Sequence, residues 1–140
     1  MNKEELKQLL REILQEQRSG VTLRKVPEIR VDETDRLDTG TPTHRVYTHD
    51  LFSLEESPRL GCGIMEMTDT TFAWNLRYDE IDYVISGSLT IQIGDTSVTA
   101  GPGELILIPK GSSIRFSVSG HARFLYVTYP ADWQYQCADS

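Results

Sequence analysis

The sequence has no excess of positive charge, no long apolar run and few cysteines. Its 140 residues carry a formal net charge of −7. Proteins that bind nucleic acid neutralise phosphates with lysine and arginine, so this charge predicts no nucleic-acid partner. No apolar run approaches the roughly 20 residues that a membrane-spanning helix needs, which predicts no membrane partner.

The two cysteines, Cys62 and Cys137, lie far apart in the sequence and form no CxxC pair. The residues from Lys3 onward are charged, which is not typical of a secretory signal. Disulfides are disfavoured in a reducing cytosol. We therefore expect two free thiols in a cytoplasmic protein.

Apolar residues recur at helical spacing near the N-terminus. The stripe consists of Leu6, Leu9, Leu10, Ile13 and Leu14. This spacing predicts an amphipathic helix over residues 1–18, which Ser19 and Gly20 would end. An apolar stripe of this kind is normally buried against another surface. Packing on its own domain or on a second subunit is one interpretation, and docking into a groove of another protein is the other.

The next segment, residues 19–45, is polar and rich in turn-forming residues. We interpret it as a linker or an arm that wraps the domain. Val26, Ile29 and Val31 are compatible with one edge strand, where Pro27 would be tolerated.

From residue 46 to residue 134 the chain alternates short apolar segments with turn sequences. The segments recur about every eight to twelve residues and show no helical period, which predicts an all-β sandwich or barrel. We predict that residues 135–140 form a short tail.

Two spacings resemble the paired motifs of the cupin family. Glu80 and Gly87 satisfy E-x6-G, and Gly103, Pro109 and Gly111 satisfy G-x5-P-x-G. The glycines and the proline suit the corners of a closed barrel. The resemblance implies an all-β fold with a single cupin domain, an antiparallel β-barrel or jelly roll.

The ligands of a metal-binding cupin are missing, except for Glu80. The positions of the three histidines hold Trp74 and Leu76 at one spacing, Ala73 and Asn75 at the other, and Ile114 after the second motif. The histidines of the chain lie outside the motifs, at His44, His49 and His121. Transition-metal sites use three or four donors, so one carboxylate predicts no metal site.

Strand alternation adds a second acidic residue to the predicted interior. If Glu80 points into the barrel, Asp82 does too, and Tyr78 lies near the mouth. Two carboxyls roughly 7 Å apart in a dry barrel repel, so one should keep its proton near neutral pH. One interpretation is an acid/base pair or a site for a cationic or hydroxylated small molecule. The alternative is a structural role, in which Glu80 and Asp82 cap backbone groups or pair with Arg77 or Arg123.

Glu66 is a further candidate for this cluster. It shares a strand face with Cys62 and Ile64, and it joins the acidic residues if that face is inward. Our candidate catalytic residues are therefore Glu80, Asp82, Tyr78 and Glu66.

Over residues 60–134 the chain resembles EutQ, the cupin family of bacterial ethanolamine utilisation. The resemblance rests on YDEIDYVISGSLTIQI, AGPGELILIPKGSSIRFSV and RFLYVTYPADWQ. It implies a cytoplasmic protein associated with a bacterial microcompartment, in which ethanolamine is broken down through acetaldehyde. It also implies acetate kinase activity. Residues 1–18 are similar to encapsulation peptides, which implies docking on shell or cargo proteins.

The residues themselves offer the kinase interpretation little support, because no P-loop or cluster of basic residues is visible. Carboxylates that share Mg²⁺ with phosphates would allow Mg-ATP to bind. We expect no tightly bound cofactor. A non-catalytic assembly factor and a module that binds a small metabolite in the barrel remain alternatives. A homodimer is expected in each case, because cupin barrels commonly pair through an edge sheet.

Overall fold

The computed structural model describes residues 1–18 and 20–138, without the side chains of residues 14–18 and 136–138. Two α-helices and seven β-strands lie in this part of the chain. The helices are α1 (Lys3–Arg18) and α2 (Trp133–Ala138). The strands are β1 (Arg45–Asp50), β2 (Gly61–Asn75), β3 (Asp79–Ser86), β4 (Leu89–Ile93), β5 (Thr96–Ala100), β6 (Leu105–Ile108) and β7 (Ser113–Tyr129).

The two long strands, β2 and β7, form the spine of an antiparallel barrel. They pair with each other along most of their length. The C-terminal part of β7 also pairs with β3, which gives the order β1-β2-β7-β3-β6. The N-terminal part of β7 pairs with β4, and β4 pairs with β5. The predicted all-β barrel is confirmed.

A bulge at Asp69 lets the long strands pass from one half of the barrel to the other. Asp69 has a φ of 41°, and the register shifts between Thr68 and Thr70. The Asp69 carboxylate accepts the backbone N–H of Gly120 at 2.7 Å, and Gly120 has a φ of 77°. A bulge of this kind bends a strand pair and increases its twist.

Alternation along the strands separates the core from the surface. Buried and more exposed residues alternate along most of β3 and β7, as a strand with one inward face requires. The core includes Met65, Met67, Phe72, Val84, Ile91, Phe116 and Phe124.

The N-terminal helix α1 is present, as predicted. The Asn2 side chain caps it by accepting the N–H of Glu5 at 2.8 Å. All of its described side chains, residues 3–13, are exposed, including the apolar stripe up to Ile13. Neither α1 nor α2, the α-helices of the described residues, is long and apolar enough to cross a bilayer.

Residues 20–44, which we call the arm, lie along the outside of the barrel. Arg123 on β7 donates to the carbonyls of Val26 and Ile29, at 2.9 and 3.0 Å. The edge strand predicted around these residues is wrong, because Val26–Glu28 form a 3₁₀ turn. Pro27 explains the difference, since it has no N–H to offer a sheet and its φ suits the start of a helical turn.

The C-terminal segment is not a plain tail. It forms α2, and Trp133 at its start is 5% exposed and packs against the barrel. Cys62 is a free thiol. The side chain of Cys137 lies outside the described residues.

Candidate functional site

A small cavity lies inside one end of the barrel, and we call it the inner chamber. Its volume is about 10 Å³, which is room for at most one water molecule. It is lined by Leu37, Thr48, Met65, Phe72, Trp74, Tyr78, Glu80, Phe116, Tyr126 and Trp133. Aromatic rings form most of this lining, and Glu80 is its one acidic residue.

Glu80 and Asp82, which we call the acid pair, project inward from β3. Glu80 is 5% exposed and Asp82 is fully buried. The E-x6-G spacing and strand alternation predicted this orientation. No hydrogen-bond donor among the described residues reaches Glu80 Oε2 or either oxygen of Asp82. Three buried carboxyl oxygens of the acid pair therefore have no hydrogen-bond donor among the described residues.

The acid pair keeps a proton because full ionisation would bury two charges without compensation. Burial raises the pKa of Glu80 above its ordinary value. The pKa of Asp82 is raised well above its ordinary value by burial and then by the neighbouring Glu80 charge. One carboxyl of the acid pair is therefore neutral in the folded protein, while the other can carry a charge.

Tyr78 and Trp74, which also line the inner chamber, extend this polar contact beyond Glu80. The indole N–H of Trp74 donates to the Tyr78 hydroxyl at 2.8 Å. The Tyr78 hydroxyl in turn hydrogen-bonds to Glu80, which lowers the pKa of that carboxyl against the larger effect of burial. Tyr78 is 1% exposed, so it lies deeper than the mouth position predicted from the sequence.

Glu66 does not join the acid pair. Met65 and Met67, on either side of Glu66 in β2, belong to the core of the barrel, so Glu66 faces the outside. There its carboxylate accepts from Arg123 at 2.8 Å and contacts His121 at 2.9 Å. The prediction that Glu66 shares the site is wrong. Arg123 is also not the partner of the acid pair, because it is bound to Glu66.

The positions of the missing histidines hold packed side chains. Leu76 and Ile114 are buried, and Trp74 is partly buried beside Phe72. Within residues 1–18 and 20–138, no three His, Cys, Asp or Glu side chains are grouped so that they could hold a metal ion.

Two residues of the site have roles that the sequence did not indicate. Trp133 from α2 contacts the rings of Trp74, Tyr78 and Tyr126, with centroid distances of 6.3, 5.8 and 5.7 Å. The Tyr126 hydroxyl donates to Asp50 Oδ1 at 2.6 Å, and burial raises the pKa of Tyr126. Strand alternation could have placed Tyr126 inside, but Trp133 lies beyond the last strand and carries no such signal.

A larger cavity lies outside the inner chamber, between the arm and the end of β2, and we call it the outer pocket. Its volume is about 680 Å³, within the usual range for small-molecule sites. It is lined by residues 34–39 of the arm and by Thr48, Ala73, Trp74, Asn75 and Gln134. Trp74, Leu37 and Thr48 line both cavities, so they form the partition between them.

The sequence matches a family model and several named proteins. The family model described as ethanolamine utilisation protein EutQ matches residues 1–135. A Clostridioides difficile protein named acetate kinase EutQ is 65% identical over 118 residues, which cover 84% of this chain and 75% of that protein. A Salmonella typhimurium protein of the same name is 39% identical over 95 residues, 68% of this chain and 42% of that protein. The chain thus spans about two fifths of the Salmonella protein.

Solved structures show the same relationship. The C. difficile EutQ structure has a TM-score of 0.82 at 65% identity and covers 84% of this chain and 86% of its own. A Salmonella typhimurium structure, described as a putative ethanolamine utilization protein q, has a TM-score of 0.73 at 34% identity. The match covers 81% of this chain and 89% of that chain. The cupin domain of Schizosaccharomyces pombe Cnp3, at 13% identity and a TM-score of 0.60, covers 83% of this chain and 74% of its own and supports the cupin fold alone.

Proposed function

The chain belongs to the ethanolamine utilisation protein EutQ family, and from this membership we propose that it is an acetate kinase of ethanolamine utilisation. The observation that carries the proposal is the 65% identity with the C. difficile protein named acetate kinase EutQ. A match of 118 residues on a chain of 140 must include residues 23–118, and so it includes the acid pair. The names of these relatives favour an enzyme over a purely non-catalytic role.

The proposed reaction needs no proton transfer. A carboxylate oxygen of acetate attacks the γ-phosphorus of ATP and forms the new oxygen–phosphorus bond. The bond between that phosphorus and the bridging oxygen breaks, and ADP leaves with the electron pair. Catalysis of such a transfer consists of positioning and of charge stabilisation, so the protein has to hold two anions close together.

The outer pocket suits the nucleotide better than the inner chamber does. Its 680 Å³ accommodates a small-molecule ligand, whereas the 10 Å³ of the inner chamber do not. Arg36 lines the outer pocket with a guanidinium that also pairs with Glu33, and Asp38 is an exposed carboxylate of the same lining. Mg²⁺ is commonly bound by one or two carboxylates together with the phosphates of its nucleotide, and it neutralises their charge. We assign Asp38 as the carboxylate for Mg-ATP.

The test is acetate-dependent turnover by the full chain. With Mg-ATP and acetate, we expect ADP and an acyl phosphate that hydroxylamine traps as the hydroxamate. Asp38→Asn should lower kcat/KM at least about tenfold, because it removes one charged ligand of the metal–nucleotide complex. Asp95→Asn, in the turn between β4 and β5, is the matched control and should leave kcat/KM unchanged.

The possible results test the kinase activity and its assignment to the outer pocket separately. No ADP formation above the acetate-free rate would refute the kinase. Normal turnover by the Asp38→Asn variant would refute the assignment of the outer pocket while the activity itself stands.

Residues 1–18 support a further proposal, docking on shell or cargo proteins of a microcompartment. Leu6, Leu9, Leu10 and Ile13 are 41–51% exposed, although they form one apolar face of α1. An unpartnered face of this kind is typical of a helix that binds in a groove. Under this proposal, α1 attaches the protein to the microcompartment.

The outer face of β3 and β6 supports a homodimer. It exposes Ile81, Tyr83, Leu105 and Leu107, and Ile81 pairs with Leu107 while Tyr83 pairs with Leu105. These side chains thus form one contiguous apolar surface, and β6 ends the strand order of the sheet. Contiguous apolar surface at a sheet edge is a common contact between subunits.

We also propose that the protein holds no tightly bound cofactor or transition metal. The support is the apolar packing of Leu76 and Ile114 at two positions where a cupin metal site needs histidine. One equivalent of Fe, Mn, Ni or Zn per chain in elemental analysis of the purified protein would contradict this proposal.

A further inference from the structure

The acid pair has no task in the proposed phosphoryl transfer. Acetate attacks as a carboxylate, so it carries no proton for Glu80 or Asp82 to remove. The pair also lies behind Trp74 and Leu37, which separate it from the outer pocket. Three buried carboxyl oxygens that no donor of the described residues reaches are a costly feature, and such a cost is typical of a binding site.

The inner chamber has the lining of a cation site. Phe72, Trp74, Tyr78, Tyr126 and Trp133 place aromatic rings around the space into which Glu80 projects. Ring faces attract ammonium groups, and cages of such rings bind alkylated ammonium ions. The carboxylate adds the opposite charge at one side of the cage.

The charges of the chamber exclude an anionic ligand. No Lys, Arg or His belongs to its lining, so an anion would meet the Glu80 carboxylate without compensation. A primary ammonium group has three N–H donors. The acid pair has three carboxyl oxygens that no donor of the described chain reaches, and Glu80 Oε2 is the one on the residue that lines the chamber. The acid pair therefore lacks hydrogen-bond donors, and an ammonium group would supply them.

Trp133 occupies the space that a ligand would need. Its ring lies against Trp74, Tyr78 and Tyr126, and only about 10 Å³ remain beside it. It belongs to α2, which has six residues and is separated from the end of β7 by residues 130–132. Displacement of this one ring would make room for a small ligand among the strand residues of the chamber.

We propose that the inner chamber is a binding site for a small primary alkylammonium ion, separate from the phosphoryl-transfer pocket. The ammonium group donates to the Glu80 carboxylate, and the alkyl group replaces the Trp133 ring among the other aromatic side chains. The site does not depend on the proposed kinase activity.

Titration with ethylammonium chloride tests the proposal in the full chain. Trp74 and Trp133 are the two tryptophans of the protein, and both line the chamber, so their fluorescence reports on it. We expect a saturable change with ethylammonium and none with sodium chloride at equal ionic strength or with ethanol. No saturable change with ethylammonium overturns the proposal.

Two isosteric variants identify the residue that binds the cation. Glu80→Gln removes the charge and should weaken binding at least about tenfold, because a charge-assisted hydrogen bond is lost. Asp95→Asn removes an exposed charge in the turn between β4 and β5 and should keep the affinity within about threefold. Near-UV circular dichroism verifies that each variant is folded. Equal affinity of the Glu80→Gln variant and the wild type overturns the assignment.

A direct contact measurement covers the case in which Glu80→Gln does not fold. In the wild type, nuclear Overhauser effects should connect the ethyl protons of the ligand with the indole protons of Trp74. Trp133→Ala should bind ethylammonium more tightly, because no ring has to be displaced. Contacts confined to surface residues would overturn the proposal, and the acetate-dependent assay would still report on the kinase.

Discussion

The carboxyl groups of Glu80 and Asp82 lie next to each other on the inner face of β3, and no donor from the rest of the described chain reaches Asp82. Burial and the Glu80 charge raise the pKa of Asp82 well above its ordinary value. At neutral pH the folded protein therefore holds a proton that the unfolded chain has already released. The contribution of this proton to stability is full below the ordinary carboxyl pKa and is lost as the pH rises through the folded-state pKa.

Asp82→Asn should stabilise the protein at alkaline pH. The asparagine keeps the shape of the side chain, donates an N–H to Glu80 and has no charge to desolvate. We expect the variant to gain on the order of 1–3 kcal/mol in unfolding free energy at pH 8, and less at pH 4, where Asp82 of the unfolded chain is also partly protonated. Urea unfolding at a series of pH values measures the difference.

The control for this experiment is Asp95→Asn in the exposed turn between β4 and β5. It should change stability by less than about 0.5 kcal/mol at either pH. A gain for Asp82→Asn that is equal at pH 4 and pH 8 would show that the effect does not come from titration.

Gly63→Ala should destabilise the barrel strongly. A Cβ at Gly63 would overlap the Tyr126 hydroxyl and lie 2.7 Å from the His49 carbonyl oxygen. Tyr126 cannot turn away without losing its hydrogen bond to Asp50. We expect a loss of at least about 3 kcal/mol, the upper range for overpacking, in thermal or urea unfolding.

Gly101→Ala is the matched control. Its Cβ would have Glu104 Oε1 at 3.6 Å as its neighbour, which is an ordinary contact. The variant should unfold like the wild type. Similar losses for both variants would mean that the close approach of Tyr126 to β2 does not determine the effect.

The fold and half of the site could be predicted because they follow local rules. The E-x6-G spacing assigned Glu80 to an inward position, and alternation then assigned Asp82. Alternation also grouped Cys62, Ile64 and Glu66 correctly on one face of β2. Alternation alone does not identify the inward face of β2, because Met65 and Met67 on the other face are equally compatible with a core.

The remaining parts of the site depend on contacts between distant segments. The outer pocket brings residues 34–39 together with residues 73–75 and with Gln134. Neither the polar arm nor the C-terminal segment has a periodic pattern, so their positions on the barrel were not predictable. Trp133 is buried only because the chain turns back over the barrel end after β7.

The apolar stripe of α1 should control docking without affecting the barrel. Leu10→Glu places a charge in the middle of the stripe, at a residue that is 51% exposed in the monomer. We expect retention of the full chain by purified shell proteins to fall at least about tenfold, while the unfolding free energy changes by less than about 0.5 kcal/mol. Gln8→Glu adds the same charge on the polar face and should bind like the wild type. Equal retention of both variants would exclude the stripe as the docking surface.

Leu107→Glu should dissociate the proposed homodimer. Leu107 is 65% exposed in one chain and lies beside Ile81 on the apolar face of β3 and β6. A buried charge at the centre of an interface lacks a partner, so the dimer dissociation constant should rise at least about tenfold.

Light scattering after size exclusion decides between the two states of assembly. The wild type should have twice the 15.9 kDa mass of the chain, and Leu107→Glu should approach the single mass on dilution. Val98→Glu is the control, because Val98 is 49% exposed but lies on β5, away from the proposed interface. Its mass should match that of the wild type. A wild-type mass of one chain at micromolar concentration would rule out the dimer, and equal dissociation by both variants would locate the interface elsewhere.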